Sequence, residues 1–95
     1  MAAYVIVDLE VLDPDGFEEY KKSVVPIVKK WGGKYVVAGG NVETLEGNWK
    51  PKRIVVIEFL SVSRAKEWLK CDEYSEVGKI RHRTAKTNML LVEGV

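Results

Sequence analysis

Residues 32–41 read GGKYVVAGGN, a short β-prone run with a glycine doublet on each side. Each doublet punctuates something different. Upstream, Phe17, Tyr20, Val24, Ile27, Val28 and Trp31 recur at helical spacing, while Glu18, Glu19, Lys21, Lys22, Lys29 and Lys30 take the opposite face. Gly32 and Gly33 follow the last of these apolar positions, where a left-handed residue ends a helix at least steric cost. Downstream, KYVVA over 34–38 predicts a strand, and β-like alternation resumes in NVETLE beyond Gly39 and Gly40. A glycine pair inside a strand pattern marks a bulge or a bend. The second doublet therefore predicts a bent arm over 41–51, in preference to a loop that admits a ligand. It has neither the spacing nor the following helix of a phosphate cradle.

Working outward, YVIVDLEV over 4–11 alternates, with Val5, Val7, Leu9 and Val11 on one side and Tyr4, Ile6, Asp8 and Glu10 on the other. Asp13 before Pro14 suits a helix start, and Asp15 with Glu18 has the spacing of a capping box. Pro26 lies inside this helix and predicts a bend. GNWKP over 47–51 is a turn, and KRIVVIEFL over 52–60 reads as a central strand covered on both faces. Ser61 or Ser63 can cap a helix carrying Ala65, Trp68 and Leu69, and Asp72 can restart one that runs to about Arg83. NMLLVE over 88–93 is the last strand. The order β-α-β-β-α-β is the ferredoxin-like pattern of the α+β class: an antiparallel sheet with helices on one face, here with the second crossover helix split in two. Residues 1–95 make a single domain.

Composition narrows the function. At 95 residues one core buries roughly 60–65% of the unfolded surface. The 46% hydrophobic content, with three Trp and four Tyr, exceeds what such a core absorbs and points to burial against another subunit. A net charge of +1 provides no field for nucleic acid or membrane surfaces. Cys71 is the only cysteine, so no intrachain disulfide forms and a reducing, cytoplasmic setting is expected. The start, MAAYVIVDLEV, is expected to be the first strand and not a signal peptide. No apolar run approaches the roughly 18 residues of a membrane span.

Helices on one face leave Tyr4, Ile6, Asp8 and their neighbours bare on the other. Face-to-face homodimerisation buries that face, and the 41–51 arm with Trp49 is expected to touch the partner. At this point the residues resemble a known family. GGKYVVAGGNVETLEGNWKPKRIVVIEF, then Ala65 and Trp68 as A-x-x-W, Glu73-Tyr74 and Arg81, are similar to domain-of-unknown-function family 1330, of the dimeric α+β barrel superfamily. The resemblance covers essentially the whole chain and implies the fold and the dimer. It implies no activity, although related branches of the superfamily include cofactor-free monooxygenases, lactone isomerases and heme enzymes. Ala38 stands where the family often has arginine, Leu60 where it has proline, and Cys71-Asp72 where it has Ser-Pro.

Among candidate site residues, Glu58 interrupts an apolar strand and must be paired or face a cavity. Arg81 and Arg53 are its candidate partners; Tyr4, Tyr35 and Trp49 are candidates for walling a substrate cavity. His82, the single histidine, is either a proton shuttle or a surface residue at a helix C-terminus. Cys71 reads as a helix-junction residue, since no nucleophile elbow surrounds it. One His and one Cys eleven positions apart make no metal ligand set, and no cofactor is expected. Two functional readings follow. In the first, a homodimer binds a small, partly apolar organic molecule, with cofactor-independent proton transfer or oxygenation as the chemistry. Glu58 would then be the base, and Arg81 or His82 would hold an anionic group. In the second, the dimer is a non-enzymatic binding or interaction module.

Overall fold

A computed structural model describes residues 1–95. The chain order is β1 (Ala3–Val11), α1 (Pro14–Lys30), β2 (Lys34–Ala38), β3 (Arg53–Phe59), α2 (Val62–Lys70), α3 (Asp72–Thr84) and β4 (Ala85–Glu93). The strands form one sheet in the order β2-β3-β1-β4, antiparallel throughout. This is the expected ferredoxin-like arrangement. The last strand begins three residues earlier than expected, because Ala85 leaves α3 directly and pairs with Val11.

Local chemistry explains the boundaries. Asp13 caps α1 by accepting from the Gly16 amide at 3.2 Å, and Pro14 occupies the first turn, where its missing donor costs nothing. The alternative cap does not form: Glu18 pairs instead with Lys21 at 2.9 Å. The helix ends after Trp31 as the first doublet predicts. Gly32 takes φ 79°, its amide donates to the Lys29 carbonyl at 3.0 Å, and the Gly33 amide donates to that of Val28 at 2.8 Å. Ser61 caps α2 through the Arg64 amide, and the Cys71 sulfur accepts from the Tyr74 amide at the α2–α3 junction.

The core is one layer thick. Val5, Val7 and Leu9 of β1 meet Ile57 and Phe59 of β3 beneath Phe17, Tyr20, Val24, Val28, Trp68 and Tyr74 of the helices. With no second helical layer, the molecule measures 35 × 33 × 16 Å. The expectation that β3 is covered on both faces is corrected here. Helices reach its Ile57 side only, and Ile54, Val56 and Glu58 stand half-buried on the other.

Registration arranges that bare face in rows. Lys34, Glu58, Tyr4 and Val92 form one row; Val37, Val56, Ile6 and Leu90 form the next; Ile54, Asp8 and Asn88 form a third. The middle row is an apolar stripe across all four strands. Val37 joins it only because a register shift between Tyr35 and Val37 reverses the alternation of β2.

The second doublet does bend the chain. Gly39 adopts φ 78° and its amide donates to the Ile54 carbonyl at 2.8 Å, after which residues 40–52 carry no regular structure. The strand-like alternation expected in NVETLE is therefore not realised. The chain leaves the sheet at Gly39 and has no neighbouring strand to pair with. Instead the arm folds back over its own sheet: Trp49 Nε1 donates to Asp8 Oδ2 at 3.0 Å, and Thr44 Oγ1 donates to the Trp49 carbonyl at 2.7 Å. Gly39 also makes space, since a Cβ there would stand 2.5 Å from Arg53 Nε, whereas one at Gly40 would meet nothing. Gly39→Val is expected to cost about 1–3 kcal/mol in urea denaturation from the left-handed backbone alone. Gly40→Ala should stay within about 0.5 kcal/mol of the parent.

Candidate functional site: a cavity between the first helix and the sheet

Helix α1 packs mainly on α3, so its inner face stands off from the edge of the sheet. The gap is a cavity of about 320 Å³ whose apolar walls include Val24 and Val25 of α1, Val55 and Ile57 of β3, Val7 of β1 and Met89 of β4. That volume lies at the lower end of the range of about 300–1,000 Å³ for small-molecule sites. Of its other lining residues, Ala38 is exposed and Lys21, Tyr35 and Arg53 are half-buried, while Trp68, Tyr74 and Arg81 are buried.

The polar groups here share one character: they donate. Arg81 is 7% exposed, contacts the Thr87 hydroxyl through Nη1 and lies 3.4 Å from His82 Nε2 through Nη2. Its Nε has no partner, and neither do Arg53 Nε, Tyr74 OH or Trp68 Nε1. The Arg53 guanidinium stacks over Phe17 at 5.7 Å. Burial pushes the Tyr20 phenol upward and that of Tyr35 up to about 12, so both are protonated at neutral pH. No carboxylate or histidine lines the cavity.

The expected site residues are divided between the two faces of the sheet. Arg81 and Tyr35 line the cavity; Glu58, Tyr4, Trp49 and His82 do not. Glu58 and Arg81 are separated by the sheet, so the grouping that would have made Glu58 a base beside Arg81 is not formed. The reason is strand parity: Glu58 pairs with Tyr4 on the bare face, one position out of phase with Ile57 and Phe59. There it stands across the strands from Tyr4, whose phenol is raised by hydrogen bonding to Glu58 and by the negative charge of Glu58. Trp49 roofs a shallow groove on that side with Val42, Leu45, Pro51, Ile6 and Ile54. His82 is exposed in the last turn of α3.

Sequence reasoning assigned Tyr20, Trp68 and Tyr74 to packing alone. The available signal was their polar tips: a core stripe written with Tyr and Trp carries O–H and N–H groups that need partners once buried. Ala38 also gains meaning. It lies on the cavity wall, so an arginine at this position would put a cation where this chain leaves space.

The family model described as Domain of unknown function (DUF1330) matches residues 2–95. The chain belongs to this family. None of the curated proteins compared with it matches. Among solved structures it is similar to a Rhodopseudomonas palustris protein of unknown function, at 17% identity and TM-score 0.80, over 99% of this chain and 82% of that one. It is also similar to a dimeric Bacteroides fragilis protein of unknown function and ferredoxin-like fold, at 16% identity and TM-score 0.65, over 98% and 96% of the two chains. A third is a Nitrosomonas europaea protein provisionally described as an antibiotic biosynthesis monooxygenase, at 11% identity and TM-score 0.59, over 99% and 90%. These likenesses establish the fold.

The buried phenols predict an alkaline limit. Their proton is held more tightly in the folded chain than in the unfolded one, where a tyrosine titrates near 10. The stability they provide is complete below pH 10 and is lost as pH rises through about 12, the value for Tyr35. Thermal melts from pH 8 to 12 should show this decline, and Tyr20→Phe should lose less stability than the parent over that interval.

Proposed function

We propose that this protein is a homodimer whose subunits each bind a small, partly apolar organic molecule in the cavity between α1 and the sheet. The observation that carries the reading is an apolar cavity rimmed by hydrogen-bond donors that nothing in the chain uses. A domain this small gains little from leaving such space empty, since voids forfeit packing contacts and unmade buried hydrogen bonds cost about 1–3 kcal/mol each.

Dimerisation is supported by area. The chain exposes 6373 Å², about 900 Å² beyond the roughly 5,500 Å² usual for a folded monomer of 10.8 kDa. A standard interface hides about 800 Å² per partner. Val37, Leu90 and Val92 are 42%, 59% and 44% exposed on the bare face, and the arm adds Leu45 and Trp49. The arm roofs Asp8, Ile54 and the Ile6 position of the stripe, leaving Val37, Leu90 and Val92 open to a second copy. The Bacteroides protein of like fold is itself described as dimeric.

A second reading adds catalysis, namely cofactor-independent proton transfer or oxygenation, and draws on the fold likeness to the Nitrosomonas protein. The lining residues favour binding over proton abstraction. Protonated phenols and guanidinium groups donate hydrogen bonds and do not serve as bases at neutral pH. Glu58 and His82, the candidates for that role, lie outside the cavity.

Light scattering over a dilution series should give a two-chain mass at micromolar concentration, and Leu90→Glu should shift the species to one chain while preserving the circular dichroism spectrum. A folded one-chain parent at that concentration would overturn the dimer. For the cavity, native mass spectrometry of the purified protein after incubation with a small-molecule library is the direct test. Ala38→Phe, at an exposed position of the lining, should abolish binding. Ligands held equally by the parent and this variant would place the site elsewhere.

A further inference from the structure

We infer that the cavity's ligand is an organic monocarboxylate of about ten non-hydrogen atoms, with its carboxylate held by Arg81. The inference deepens the small-molecule reading above and rests on it.

Arg81 is a cation without a counter-ion. It is 7% exposed, yet the ion pairs of this chain join Lys21 to Glu18, Lys30 to Glu73, Arg64 to Glu67 and Lys79 to Glu76. Its contacts within the chain are to the Thr87 hydroxyl and the His82 ring, neither of them an anion, and its Nε is unused. An uncompensated buried charge is among the costliest features a small domain can carry. A partner subunit on the bare face cannot supply the missing anion, because Arg81 sits on the helix side of the sheet. An anion entering the cavity can.

The neighbouring groups select the anion's shape. Tyr74 OH and Trp68 Nε1 belong to the same cavity lining, are buried and lack partners, and Arg53 has an unused Nε. A guanidinium presents its donors as a planar fork that matches a carboxylate's two oxygens. The remaining wall is apolar, with twelve of the fifteen lining residues hydrophobic, so only one end of the ligand can be charged. The volume of about 320 Å³ holds roughly ten water-sized groups, which sets the ligand's size.

The test uses matched acids and amides of this size: 4-phenylbutanoic acid against 4-phenylbutanamide, and nonanoic acid against nonanamide, titrated calorimetrically at pH 7 with phenylphosphonate as a third anion. Each acid should bind at least about tenfold more tightly than its amide, because only the acid is a charged acceptor. Arg81→Met should remove that preference while leaving amide affinity within about twofold, and its ligand-free melting temperature should hold or rise because an unpaired buried charge is gone. Arg81→Lys should keep part of the preference, and it provides the comparison if Arg81→Met does not fold. Amides equal to acids would overturn the inference and leave the small-molecule cavity standing. So would tighter binding of the phosphonate, or acid affinity unchanged in Arg81→Met. If neither acids nor amides bind, the inference fails together with the reading beneath it.

Discussion

Neighbouring residues of a strand must point to opposite faces of the sheet, and this chain has helices for one face only. Everything else in the structure follows from that inequality. Val5, Val7 and Leu9 go under the helices, and Tyr4, Ile6 and Asp8 come to the other side one position out of phase. The domain is consequently 16 Å thin with a single-layer core, and its second face carries an apolar stripe from Val37 to Leu90. A surface of that kind requires a cover. The arm supplies a part of it through the hydrogen bond from Trp49 to Asp8, and Val37, Leu90 and Val92 stay exposed beyond it.

The covered face is not fully packed either. Because α1 leans on α3, space remains over β2 and β3, and the residues turned toward it are aromatic rings with polar tips and two guanidinium groups. Core positions filled for stability alone favour Leu, Ile and Phe, which bring no donors to satisfy. Here Trp68 stacks against Phe59 at 5.2 Å and against Tyr74 at 4.3 Å, yet the N–H and O–H of Trp68 and Tyr74 remain unused. Such departures from a satisfied core concentrate at functional sites, where a ligand completes what folding leaves open.

Two features show how one glycine connects the faces. At Gly39 the positive φ turns the chain out of β2 and sends the arm across the bare side. The missing side chain at the same position leaves room for Arg53, which reaches the cavity on the helix side and stacks on Phe17. The strand bend and the shape of the cavity mouth therefore share a cause. The sequence pattern reveals only the bend, because Gly39 and Arg53 are fourteen positions apart and nothing in the spacing announces their contact.

Periodicity and end signals determined the elements, since both are local. The period of 3.6 in α1, the alternation of β1, the Asp13 and Ser61 caps and the Gly32–Gly33 stop depend on residues within one turn of each other. The βαββαβ order then admits few topologies, so the sheet and its bare face were legible as well. Site membership was not. Whether Glu58 meets Arg81 depends on which parity of β3 turns toward the helices, and whether NVETLE becomes a strand depends on a neighbour being present to pair with it. Whether Tyr20, Trp68 and Tyr74 fill a core or line a cavity depends on where α1 rests. Those outcomes are set by packing between distant segments, and only the tertiary structure decided them.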